Sequence, residues 1–65
     1  MGSGFYAPVR KILLAHNCFF VRQGKGSHEV WQSPINGAIF PVPVTLSGKP
    51  MANAILKQAG ITQKI

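Results

Sequence analysis

The residues of this chain best suited to chemistry lie in one short run, Gly24-Lys25-Gly26-Ser27-His28. Histidine accepts or donates a proton near neutral pH, because its ordinary pKa lies close to that range. Lys25 stands three residues before His28 and Arg22 ends the preceding apolar run, so fixed cations flank the imidazole and suit a phosphate on which charge develops. Gly24 and Gly26 let backbone N–H groups approach such a phosphate closely, and Ser27 completes the turn. These residue types describe proton transfer at a phosphodiester. They equally describe a plain hairpin turn in which His28 is a solvated or hydrogen-bonded residue opening a strand. The residues alone leave both readings standing.

Other chemistries lack their parts. The chain has no aspartate, a single acid in Glu29, a single cysteine in Cys18 and two histidines, His16 and His28. A Ser-His-Asp arrangement cannot be assembled from these, and two histidines without clustered carboxylates or a second thiol form no recognisable metal site. Neither a metal nor another cofactor is expected. Glu29 follows His28 directly and so points to the other face of a strand. One cysteine excludes an internal disulfide framework, which makes a reducing, cytoplasmic setting the default, and within its apolar run Cys18 reads as a small core hydrophobe.

Charge narrows the partners. Seven Lys or Arg stand against one acid, for a formal net charge of +6 and a pI near 10.3. Ordinary soluble surfaces mix both signs, so so one-sided a surplus points to a polyanion: nucleic acid first, an anionic membrane surface or an acidic protein after it. At 65 residues the chain is one domain, 1–65, since it can bury only a modest core. Arg10-Lys11 before "ILLAHNCFFV" imitates a secretory leader, but His16 and Asn17 interrupt the apolar run and no small-residue cleavage site follows. No segment has the length of a membrane span. The opening Met1-Gly2-Ser3-Gly4 reads as an expression-derived or disordered leader without fold information.

The elements that must position His28 follow from periodicity. Val9, Ile12, Leu13 and His16 make one helical face behind Pro8, with His16 capping the C-terminus and Asn17 as a left-handed terminator. "CFFVRQ" is a strand alternating Phe19 and Val21 with Cys18, Phe20 and Arg22. "SHEVWQ" is a second strand and "AIFPVPV" a third, joined by a turn in which Asn36-Gly37 supplies positive φ. Pro41 and Pro43 share one parity, so both missing N–H donors face one edge and the third strand is an outer one, laddered through Phe40, Val42 and Val44. Pro50 opens a second helix with Ala52, Ile55, Leu56 and Ala59 on one face, and Gly60 followed by Ile61 ends it in a Schellman pattern. The order is α-β-β-β-α, an α+β fold with a three-stranded antiparallel sheet and two helices on one face.

With these elements in place, "FVRQGKGSHEVW", then "VPV", then "ILKQAGI" resembles the small HicA-type toxins, the messenger-RNA-cleaving halves of bacterial toxin–antitoxin pairs. The resemblance runs from about Ile12 to Ile61, and its most specific blocks are Gly26-Ser27-His28 and Ile55–Ile61. It implies a fold like that of double-stranded-RNA-binding domains, a metal-independent endoribonuclease centred on His28, and a HicB-like antitoxin that masks this residue. Arg22, Lys25, Gly24, Gly26 and Ser27 then hold phosphate and shape the turn. Trp31, with help from Tyr6, is a candidate for base stacking, although the only tryptophan of a small domain is more often required in its core. Phe5, Phe19, Phe20 and Phe40 are core or interface residues. Two other functions fit the same charge: a non-catalytic RNA-binding module using Lys25, Lys49 and Lys57, and an interaction domain for an acidic partner.

Overall fold

Both helices stop in the same way, and those stops decide where the strands begin. In the computed structural model, which describes residues 4–65, the first helix α1 spans Tyr6–Ala15. Asn17 takes φ 67°, its N–H donates to the Leu14 carbonyl at 3.0 Å, and the Cys18 N–H donates to Leu13 at 2.9 Å. This Schellman pairing spends the Cys18 N–H on the helix and buries its side chain. Strand β1 is therefore Phe19–Gln23, one residue shorter than expected. The second helix, α2, spans Lys49–Gln58 and ends on Gly60 at φ 78°. Gly60 and Ile61 donate to Lys57 and Leu56, both at 3.0 Å, as the sequence pattern anticipates.

At the helix starts the structure extends the expectation. α1 begins ahead of Pro8 because the Phe5 N–H is pinned to the Leu46 carbonyl at 2.7 Å, and Pro8 falls within the first turn. Of the leader, residues 1–3 lie outside the described residues. Gly4 is exposed, and a Cβ there would meet the Leu46 carbonyl oxygen at 3.1 Å.

Strands β2 (His28–Gln32) and β3 (Ile39–Pro43) complete an antiparallel sheet in the order β1-β2-β3. The α-β-β-β-α order and the two-layer arrangement match the sequence reading. β3 is an outer strand: Val44 donates to the Ser27 carbonyl at 2.9 Å, while Pro41 and Pro43 stand opposite Val30 and His28 with their donorless nitrogens toward the free edge. One sheet face is packed. Trp31 pairs with Phe40 across the strands and Val42 follows, and all are buried with Val9 and Leu13 of α1 and Ala52, Ile55 and Leu56 of α2. Burying each large apolar side chain contributes about 1.5–3 kcal/mol, so this cluster carries most of the fold.

The alternation expected for β1 needs correction. Phe20 pairs with Trp31, but Arg22 rather than Val21 comes opposite Val30, so a bulge between Phe20 and Arg22 absorbs one residue. Phe20 keeps to the helix side, meeting Trp31 edge to face at 6.4 Å, whereas Arg22 shares the opposite face with Val30. A bulge of this kind re-aims the side chains beyond it. The core also leaves β1 largely bare: Phe19, Phe20 and Val21 are 47%, 48% and 43% exposed.

The turn between β2 and β3 is tied to α2 by side-chain hydrogen bonds that the sequence reading did not anticipate. Ser33 is fully buried; its hydroxyl donates to the Ala59 carbonyl at 2.7 Å and accepts from the Ile35 N–H at 3.1 Å. Asn36 donates to the Gln58 carbonyl at 3.0 Å and accepts from Ala38, so helix-end carbonyls that α2 cannot satisfy itself find partners here. Of the Asn36-Gly37 pair only Gly37 takes positive φ, 73°. On the packed face Glu29 accepts from Tyr6 Oη at 2.8 Å and from the Trp31 indole at 3.0 Å. Burial first, then the hydrogen bond to Glu29 and its negative charge, raise the Tyr6 phenol above its ordinary 10.0, with Arg10 pulling the other way.

Two measurements test this framework. Ser33→Ala strands a buried carbonyl and an N–H, and urea unfolding should register a loss of about 1–3 kcal/mol; a smaller loss means that Ser33 does not anchor the turn. A raised tyrosine pKa gives stability that is complete below the unfolded value and is lost as pH climbs through the folded one. The stability difference between wild type and Tyr6→Phe should therefore hold up to about pH 10 and shrink as the pH rises above it. A pH-independent difference would show that the phenol proton is not held by Glu29.

Candidate functional site

β1 and β2 close on each other through the run that holds the candidate residues. The Gly24 N–H donates to the His28 carbonyl at 2.8 Å, the His28 N–H donates to Lys25 at 3.1 Å, and Gly26 takes φ 58°. A Cβ on Gly24 would stand 3.0 Å from the His28 carbonyl oxygen and 3.3 Å from Val30 Cγ2, so only glycine lets the strands approach this closely. The Gln23 amide spans the turn, donating to the carbonyls of Gly26 at 3.2 Å and His28 at 3.1 Å. Gln23 was missed in the sequence, where nothing but its place at a strand end distinguishes it.

The His28 side chain is exposed, and its Nδ1 lies 3.3 Å from the Lys25 carbonyl oxygen. A carbonyl only accepts, so a hydrogen bond at this contact requires the ring proton on Nδ1, the tautomer in which Nε2 carries the lone pair. Lys25 is exposed within the turn, while Ser27 is half-buried and uses its carbonyl to hold Val44 of the neighbouring chain segment. The bulge brings Arg22 onto the face carrying Val30 and, by the two-residue pleat, His28. One patch thus contains His28, Lys25, Arg22 and the turn glycines.

The remaining candidates lie elsewhere. Trp31 is 2% exposed with its indole N–H on Glu29, so its ring fills the core and has no free face to offer a base; Tyr6 is half-buried against the same carboxylate. His16 closes α1, its Nδ1 2.9 Å from the Ile12 carbonyl oxygen, as a C-terminal cap. Lys49 and Lys57 are exposed on α2. Phe40 is core, Phe5 packs against it, and the exposed Phe19 and Phe20 border one depression with Leu14. Among the described residues, no group of three or more His, Cys, Asp or Glu side chains gathers in one place, and no helix is long and apolar enough to cross a membrane.

On its other side His28 borders a depression of about 260 Å³, lined also by Pro41, Pro43, Met51, Ala54, Ile55 and Gln58. Its walls are β3's outer edge and one flank of α2.

Comparison with known proteins bears on this arrangement. No match is found among curated proteins or among solved structures. The sequence model of the family described as "HicA toxin of bacterial toxin-antitoxin" matches residues 7–61, from the first turn of α1 through the His28 hairpin to the residue that seals α2. That span takes in both helices and all the strands, and the chain belongs to the HicA toxin family.

Proposed function

We propose that the chain is a metal-independent endoribonuclease that cuts messenger RNA in the cytoplasm, with His28 transferring the proton and a HicB-like antitoxin as its keeper. The observation that carries this reading is the exposed imidazole of His28, its Nδ1 against the Lys25 carbonyl, with Arg22 on the same sheet face and Lys25 in the adjoining turn. Nε2 takes the proton of the RNA 2′-hydroxyl as that oxygen attacks phosphorus. The new O2′–P bond forms while the P–O5′ bond breaks, and the 5′-oxygen leaves with a proton returned by the imidazolium or taken from water. The products are a cyclic 2′,3′-phosphate and a 5′-hydroxyl. Arg22 and Lys25 hold the phosphate, and the N–H groups of Lys25, Gly26 and Ser27 in the turn lie within its reach. The exposed Leu14, Phe19 and Phe20 suit coverage by a protein partner, because apolar side chains gathered on so small a surface mark interaction sites.

The decisive experiment follows a labelled messenger RNA over time in excess chelator. His28→Ala, with circular dichroism and unfolding matching wild type, should cut about 10²–10⁴-fold more slowly, the range ascribed to one proton-transfer group. RNA bound but left intact by both proteins would assign the chain instead to a non-catalytic binding role through Lys25, Lys49 and Lys57. Arg22→Ala and Lys25→Ala should each lower the slope of log affinity against log salt by about one unit; unchanged slopes would remove them from the phosphate contact.

A further inference from the structure

Across the open face of the sheet, polarity changes in a fixed order. Gly24 of the turn, then His28 of β2, then Pro43 of β3 stand side by side, with Arg22, Val30 and Pro41 in the next row. Cations lie on the β1 side of His28. On the β3 side the depression is lined by Pro41, Pro43, Met51, Ala54 and Ile55, and no charged side chain is among its walls. The two proline nitrogens face this edge, so their rings turn apolar surface where another strand would offer N–H groups. Met51 is 56% exposed, an unbranched thioether held out of the core beside His28. Gln58, exposed at the same wall, has an amide with both donors and an acceptor.

We infer that this depression is a nucleobase subsite, taking the base of a nucleotide that flanks the scissile phosphate; the inference builds on the nuclease reading above. Its volume falls below the range typical of drug-sized ligands and admits a single ring system. Its walls suit a flat, uncharged face, since a thioether packs well on an aromatic ring and proline rings give it an apolar floor. A second phosphate would find no cation there. Gln58 reaches the edge of the base, where an amide can both donate and accept, and so makes the site selective rather than merely adhesive. With phosphate on the Arg22–Lys25 side and base on the Pro43–Met51 side, one nucleotide step straddles the imidazole.

The test uses wild-type protein and a short 2′-deoxy oligonucleotide, which lacks the attacking hydroxyl and cannot be cut by the proposed route. NMR titration should shift the Met51 methyl and Gln58 amide signals together with those of the Gly24–His28 turn. Replacing each nucleotide in turn by an abasic residue should identify one position at which the Met51 and Gln58 shifts vanish and the turn shifts persist. Met51→Ala should weaken binding about tenfold, and Gln58→Ala should flatten the preference among the four bases at that position. Turn signals that move while Met51 and Gln58 stay silent would overturn the subsite, as would shifts that survive every abasic replacement. Failure of the nuclease reading shows separately, as messenger RNA left intact by wild type, and the titration still decides the base site in that event.

Discussion

The burial of Trp31 is the constraint from which the rest of this molecule follows. Its indole lies beside Phe40 in the core that both helices help to form, in a sheet that has only one packed face. Side chains of a strand alternate with a period of two, so seating Trp31 inward also seats Glu29 inward and sends His28 and Val30 outward. A slip of one residue would bury the imidazole and expose the tryptophan, at a cost of several kcal/mol of apolar burial. His28 is thus oriented by a side chain three positions away that lies on the opposite face of the sheet. Glu29, the one acid of the chain, is taken up in the same way: held by Tyr6 and Trp31, it stays off the face that carries Arg22, whose charge it would offset.

The bulge in β1 makes the complementary adjustment. Had β1 kept strict alternation, Arg22 would share a face with Phe20 and point toward the packed side of the sheet. One additional residue, absorbed between Phe20 and Arg22, leaves Phe20 on Trp31 and carries Arg22 across to the His28 face. A local irregularity in the ladder thereby joins two cations and a histidine that the pleat alone would separate.

Much of this was legible in the chain itself, and the reasons differ by element. Asn17 and Gly60 announce their helix ends because few residues take positive φ, and the prolines of β3 announce an outer strand because they cannot donate. His28 and its turn stood out because histidine between glycine and strand formers has few chemical substitutes. What escaped was whatever depends on a partner distant in sequence. The bulge is invisible without β2 to count against, and the roles of Ser33 and Asn36 exist only once the end of α2 lies above them. Gln23 serves its own turn, yet its type and position are common to many strand ends. Trp31 carried two possible roles in the sequence, and packing resolves them in favour of the core.

The paired prolines of β3 also bear on how copies of this chain can meet. Open-ended growth of a sheet from molecule to molecule requires two pairing-competent margins on each, and Pro41 and Pro43 withhold the donors from one of them. Among the described residues, the margin left for strand addition is β1, with Phe19 and Val21 beside it. Any association along the sheet is then self-terminating: two copies joined through β1 present proline margins at both ends, which favours a closed pair over a fibre.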